Sequence, residues 1–397
     1  MGGSRRLSGW GDCLADGSCP GGKSRPTATT PGCSVPRMAL MFERRPHPSP
    51  RAQAEREAVL ANPGFGLHFT DHMAVATWTA AEGWLESAVV PYGPFQLDPA
   101  TAVLHYAQEI FEGLKAYRWA DDTVRLFRPE RNAARLQQSA RRLALPELPV
   151  EDFLTSVAGL VQADKDWVPS GGETSLYVRP FMFASEAFLG VRPAKRVTYC
   201  VIGSPAGAYF SAGVKPVSIW VSENYTRASP GGTGAAKCGG NYAASLLAQA
   251  EASEHGCDQV LFADAQEFKY VEELGGMNVY LVKGNQLHTP QLTGSILEGV
   301  TRDSVLSLAA DLGLEPVERR IEVAELLDGI ADGSIDEVFA CGTAAVITPI
   351  GSLKTADRTV SLAGADDLKV TTEIRSRLLD IQYGRADDPH GWMHEVA

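Results

Sequence analysis

The chain has no apolar run near the roughly 18 residues needed to span a bilayer, no Cys-x-x-Cys pair and no surplus of positive charge. The first absence excludes a transmembrane helix. The second excludes a zinc knuckle or a dithiol redox site, and seven cysteines at irregular spacing make no disulfide framework. The third argues against nucleic acid, because 36 basic against 48 acidic residues leave a net charge of −12, which repels a phosphate backbone. Nor does the start, MGGSRRLSGWGDCLADGSC, carry the apolar segment of a secretory signal. The expected address is therefore the cytoplasm. Internal repeats and heptads are also missing.

What remains is an ordinary globular composition, 44% apolar and 21% charged over 397 residues. That length suits two or three domains. Residues 1–40 stand apart: 20 of the 40 are Gly, Pro, Ser or Thr, and five Lys/Arg face two Asp. Such a segment buries too little apolar surface to offset its ordering entropy. It reads as a disordered extension, with Met38 or Met41 as a natural start.

Further on, β-branched and aromatic runs mark strands at Met73–Thr79, Leu176–Ala184 and Arg196–Ser204. Helical periodicity marks Pro129–Leu143, with proline in its first turn, and Val150–Trp167. The small-residue stretch at 205–213 reads as an interdomain linker. Beyond it come a helix at Asn241–His255, strands at Gln259–Ala263 and Met277–Lys283, a helix at Thr301–Gly313 and a strand at Glu337–Cys341.

Between Arg227 and Glu251 lie 23 residues with one charge, Lys237. A surface lysine normally has charged neighbours. This one sits between glycine-rich turns, ahead of an Ala/Leu helix, and a desolvated amine is what Schiff-base chemistry needs. A P-loop is excluded because Ala236 and Cys238 flank the lysine. A dinucleotide loop is excluded because Lys237 stands where the third glycine belongs. The competing reading is a surface lysine in a flexible loop.

If Lys237 binds pyridoxal 5'-phosphate, the site also needs a carboxylate for the pyridine nitrogen, a donor for the 3′-oxygen, an anion cup and a holder for the substrate carboxylate. Candidates are Glu272 or Glu273, Tyr242, the helix start at Gly299–Asp303 and the turn Cys341–Ala345. Each alone could be a strand end, a packing tyrosine, an N-cap or a tight turn.

Taken together the motifs resemble the branched-chain amino acid aminotransferases, fold-type IV pyridoxal-phosphate enzymes, in their actinobacterial form. The resemblance runs from about 64–66 to 391–392 through HYAQEIFEGLKAYR (105–118), SLYVRPFMFA (175–184), SPAGAYF (204–210), GGTGAAKCGGNYAASLLAQA (231–250), EELGGMNVY (272–280), LEGVTRDS (297–304) and ACGTAAVITP (340–349). It implies an α+β fold of two domains: a smaller N-terminal α/β domain at 41–204, a linker at 205–215 and a larger C-terminal pseudo-barrel domain at 216–397. It also implies a homodimer.

By the same resemblance Lys237 carries the cofactor linkage and shuttles the proton. Glu273, in preference to a solvent-facing Glu272, meets the pyridine nitrogen, and Tyr242 meets the 3′-oxygen. Arg135, Val300, Thr301, Gly342 and Thr343 hold the phosphate. Thr343 and Ala344 hold the substrate carboxylate. Tyr106, Phe111, Tyr177 and Tyr209 form an aromatic pocket beside Arg179, part of it from the partner subunit. No metal is implied. The chain departs from the family at Gly276, where many members have threonine, and at Ala345 and Thr348, where animal members have a cysteine pair.

The implied activity is reversible transamination of L-leucine, L-isoleucine and L-valine with 2-oxoglutarate. All three should react, since one methylene is worth only ~1–3 kcal/mol in an apolar pocket. The rivals are a D-amino acid aminotransferase, an aminodeoxychorismate lyase and a non-enzymatic vitamer-binding protein.

Overall fold

The structure, a computed structural model, describes residues 39–207, 215–364 and 368–397. Tyr209, most of the expected linker and residues 1–38 lie outside the described residues. The expected tail stops short of residue 40: Leu40 is buried in the first core, and its N–H donates to the Asp152 carboxylate at 2.9 Å.

Two sheets organise the chain. The first contains β1 (Glu43–Arg44), β2 (His72–Thr79), β3 (Gly83–Pro91), β4 (Glu109–Phe111), β5 (Leu114–Arg118), β6 (Val124–Phe127), β7 (Ser175–Ala184), β8 (Arg196–Ala206) and β18 (Met393–Glu395). Its order is β1-β3-β2-β8-β7-β5-β6-β18, with β4 also on β7. The second contains β9 (Val217–Val221), β10 (Gln259–Ala263), β11 (Val271–Leu274), β12 (Asn278–Lys283), β13 (Gln286–Pro290), β14 (Glu315–Arg319), β15 (Glu337–Gly342), β16 (Val346–Lys354) and β17 (Thr359–Ser361). Because β11 pairs with both β10 and β12, the path β9-β10-β11-β12-β15-β16 returns on itself as a closed ring. The last strand, β18, comes from the far end of the sequence and pairs with β6 of the first sheet.

Eight α-helices are described: α1 (Gln53–Ala61), α2 (Val103–Tyr106), α3 (Pro129–Arg142), α4 (Val150–Ala163), α5 (Gly239–Glu254), α6 (Val300–Asp311), α7 (Val323–Asp332) and α8 (Lys369–Gln382). Helix α3 buries Pro129, Asn132, Ala133, Leu136 and Ala140, the i, i+3, i+4, i+7 spacing of one face. Helix α4 buries Phe153, Val157 and Leu160 in the same core. Each such large apolar side chain contributes about 1.5–3 kcal/mol on leaving water. The expected helix Val150–Trp167 is divided: α4 stops at Ala163, and Lys165–Trp167 is a 3₁₀ turn. Asp164 turns out of the helix because its buried carboxylate accepts from the His72 N–H at 2.8 Å and meets the His72 ring at 2.6 Å.

Strand β7 shows how the first sheet faces the second. Leu176, Val178 and Met182 point into the core shared with α3 and α4. By alternation, Tyr177, Arg179 and Phe181 point the other way. From the opposite direction come the start of α5, the hairpin β11–β12 and the start of α6.

Candidate active site

Lys237 sits on a loop pinned from three sides. Its N–H donates to Ser139 Oγ of α3 at 2.9 Å, and its carbonyl accepts from the Phe111 N–H of β4 at 2.9 Å. The Gly239 N–H donates to the Glu109 carboxylate. Asn241, in the first turn of α5, ties the loop to itself by donating to the carbonyls of Thr233 and Ala236, both at 2.8 Å. Glycine is required at 234, where a Cβ would stand 2.5 Å from the Ser295 carbonyl carbon. Two residues after the lysine α5 begins, so Tyr242 follows one turn later. Lys237 Nζ donates to Tyr242 Oη at 2.7 Å, and Phe111 lies beside both, 5.1 Å from the Tyr242 ring and 4.9 Å from Nζ.

Glu273 is on β11, just before the turn Leu274–Met277. Its side chain is 3% exposed, accepts from the Leu297 N–H at 2.9 Å and pairs with Arg227 at 2.8 Å. Burial pushes its carboxyl up to about 7, against the pull of Arg227, the Leu297 N–H and, further off, Lys237. Arg227 is itself 1% exposed, and its Nε and Nη2 have no partner among the described residues. Contrary to expectation, Glu272 is not on solvent. It is 6% exposed, accepts from Ser295 Oγ, and burial raises its pKa too. The segment 293–297 covers this strand end, so both acids are inside and on opposite faces.

Helix α6 begins at Val300 after the N-cap Gly299, which offers no side-chain cap. Its first N–H groups are therefore orphan donors. Val300, Thr301, Gly342 and Thr343 line one cavity, together with Lys115 and Gly113. Arg135 reaches this region from α3 as a buried residue. Its Nε and Nη2 grip both oxygens of the fully buried Glu112 at 2.8 Å, and Nη1 donates to the Glu298 carbonyl at 2.9 Å. Burial alone would lower its pKa, but Glu112 outweighs that, with Tyr242 and Tyr177 adding to the rise.

The turn after β15 carries Thr343 and Ala344 and closes at Val346, which has φ 62°. A β-branched residue in the left-handed region is strained by about 1–3 kcal/mol. Lys115 braces this turn by donating from Nζ to the Ala344 carbonyl at 2.8 Å. Burial brings the Lys115 pKa down to about 8.

On the facing wall Tyr177 lies opposite Lys115 in register, and Phe111 opposite Phe181. Arg179 donates to Tyr177 Oη at 2.9 Å and lies over the rings of Phe111 and Tyr177, 4.7 and 5.2 Å from their centres. A Cβ on Gly113 would meet the Tyr177 ring at 2.9 Å, so glycine is needed there. Gly276 is different: a Cβ there would make ordinary contact with Tyr242, at 3.6 Å.

Lys237, Tyr242, Phe111, Tyr177 and Arg179 are thus brought together, with Glu273 acting on the lysine from β11 and the cup at 300–301 and 342–344 braced by Lys115. Tyr106 is not among them. It is exposed at the end of the short helix α2 and donates to the Leu189 carbonyl. Four neighbours of the site were not foreseen: Arg227, Lys115, Glu112 and Glu109. Arg227 was visible only as the border of the uncharged stretch. Lys115 carried no signal of its own, since the strand Leu114–Arg118 also ends on a charge.

Residues 109–353 match the family described as Amino-transferase class IV. A probable branched-chain-amino-acid aminotransferase of Streptomyces coelicolor is 60% identical over 357 residues, 90% of this chain and 99% of that protein. A branched-chain-amino-acid aminotransferase of Mycobacterium tuberculosis is 55% identical over 350 residues, 87% of this chain and 95% of that protein. Among solved structures, the branched-chain amino acid aminotransferase of Escherichia coli matches with TM-score 0.68 at 28% identity, covering 82% of this chain and all of that one. The branched-chain amino acid aminotransferase of Thermobaculum terrenum, in its PLP holo-form, matches with TM-score 0.66 at 28% identity, covering 81% of this chain and 98% of that one.

Proposed function

The chain belongs to the class IV amino-transferase family, among its branched-chain-amino-acid aminotransferases, and from that premise we propose that it moves the amino group between L-leucine, L-isoleucine or L-valine and 2-oxoglutarate. The observation that carries the reading is one cluster of groups: a half-buried amine, Lys237 Nζ, bonded to the half-buried Tyr242 phenol, with the fully enclosed Glu273 carboxylate pushed up to about 7.

The donor set fits pyridoxal 5'-phosphate. A buried carboxylate backed by Arg227 suits a ring nitrogen, the Tyr242 hydroxyl suits a ring oxygen, and the uncapped start of α6 suits a phosphate. Lys237, Tyr242, Glu273, Val300, Thr301, Gly342 and Thr343 would hold it, with Arg135 supporting the phosphate end through the Glu298 carbonyl. When bound, this cofactor supplies an electron sink for bond breaking at the substrate Cα. Lys237 Nζ takes and returns the proton at Cα, and Tyr242 orients the amine. Glu273 keeps a proton on the ring nitrogen. Thr343 and Ala344 fix the substrate carboxylate, in a turn that Lys115 braces. Phe111 and Tyr177 enclose the aliphatic side chain, and Arg179 receives the second carboxylate of glutamate.

The working form is a homodimer in the cytoplasm. Leu104 and Tyr106 on α2, with Leu189 and Val191 between β7 and β8, are exposed, a wall suited to completing a partner's pocket. The purified holoenzyme should form glutamate from 2-oxoglutarate with each of the three L-amino acids. Activity with D-alanine instead, or with none of these donors, would overturn the reading.

A further inference from the structure

The aminotransferase reading rests on one pocket taking an aliphatic side chain in one half-reaction and a carboxylate in the other, and it gives Glu109 no part. Yet Glu109 stands on the same wall. It lies on β4 opposite Phe183, two residues from Phe111, and so on the face of the sheet that carries Phe111, Tyr177 and Arg179. Its carboxylate accepts the Gly239 N–H, and the same strand takes the Lys237 carbonyl through Phe111. Burial raises the Glu109 pKa, while the Gly239 N–H and the charge of Arg179 oppose the rise.

Arg179 needs such a partner. It is half-buried, its Nε is enclosed without a partner among the described residues, and its neighbours are the rings of Phe111 and Tyr177 and the Tyr177 hydroxyl. No carboxylate touches it among the described residues. An uncompensated cation on a half-apolar wall favours an anionic guest and disfavours an aliphatic one.

We propose that Glu109 is the counter-charge of Arg179: it balances the guanidinium while an aliphatic side chain fills the pocket and yields it to the second carboxylate of glutamate or 2-oxoglutarate. Glu109 touches no substrate and is a positioning residue. Held off from Arg179 by the Gly239 N–H, it lowers the field at the wall without occupying the guanidinium's donors.

The test is calorimetric binding of two non-reacting acids, glutarate and 4-methylvalerate, to the holoenzyme at pH 8. Glu109→Gln keeps an acceptor for Gly239 and removes only the charge. It should raise the glutarate-to-4-methylvalerate affinity ratio about tenfold. Arg179→Met should weaken glutarate and also weaken 4-methylvalerate about threefold or more, because it strands the Glu109 charge on the wall. The double variant should restore 4-methylvalerate binding. The proposal is overturned if Glu109→Gln leaves the ratio unchanged or weakens both acids in step, as mere loss of the loop anchor would do. It is also overturned if Arg179→Met strengthens 4-methylvalerate, as replacing a cation by an apolar group would otherwise do. Should the wild-type protein bind neither acid, the aminotransferase pocket itself is misassigned; binding of both with an unmoved ratio removes the counter-charge alone.

Discussion

Replacing Glu273 by glutamine keeps shape and removes one charge from a site that water does not reach. The carboxyl stands at about 7 instead of an ordinary 4.5, and that position already includes the attraction of Arg227, so its ionised form costs the fold about 3 kcal/mol above that pH and the glutamine is spared this. The variant should therefore be at least as stable as wild type at pH 8. Catalysis gains nothing from this. Glu273 is the group proposed to hold a proton on the ring nitrogen, and loss of a directed electrostatic contact in a dry site costs on the order of 10²-fold or more in kcat. Glu272→Gln is the internal control. Glu272 is buried as well, so the control no longer rests on exposure. It rests on strand alternation and on Ser295 Oγ, which can bond a glutamine oxygen as it bonds the carboxylate. Its kcat should stay within about threefold of wild type. Paired leucine half-reaction kinetics and urea unfolding of the two variants decide the matter. A larger loss of kcat for Glu272→Gln, or a Glu273→Gln loss explained wholly by unfolding, would refute the reasoning.

Arg227→Met should push the Glu273 carboxyl above 7, since burial then acts with less opposition; activity should fall near neutrality and recover in part toward pH 9, visible as an alkaline shift of the acidic limb of kcat/KM. Lys115→Met should raise the KM for amino acids by loosening the Ala344 turn. It should also alter the pH dependence of stability. The folded Lys115 pKa is about 8, below its unfolded 10.5, so the unfolded chain binds more protons between them and wild-type apoprotein gains about 3 kcal/mol across that window. Urea unfolding at pH 7.5 and 10.5 should show the gain in wild type and its loss in the variant. Gly234→Ala should lower Tm sharply because its Cβ would be driven into the Ser295 backbone, whereas Gly276→Ala should hold Tm and touch only kinetics through Tyr242.

The lysine loop stood out in composition as one charge in a long uncharged stretch, and the structure pins it to α3 and β4 beside Tyr242. The central strands and helices α3 and α5 followed from periodicity to within a residue or two. What hid were residues whose surroundings come from distant sequence. Glu272 lies in a four-residue strand and reads as solvated until the segment 293–297 closes over it. Lys115, in an alternating strand, reads as an outward residue, but its outer face packs on the Ala344 turn, 229 residues away. Arg135 shares its helix with three other arginines, and only the structure shows that Glu112 and the Glu298 carbonyl enclose this one. The return of β18 to the first sheet has no local signal at all.

The proposed chemistry turns on Lys237 as the amine that would bear the cofactor. Borohydride reduction of the yellow holoenzyme, followed by digestion and mass spectrometry, should place one phosphopyridoxyl group on Lys237, with the same treatment after L-leucine addition leaving that peptide largely unlabelled. Labelling of another lysine, such as Lys115, Lys269 or Lys283, would contradict it.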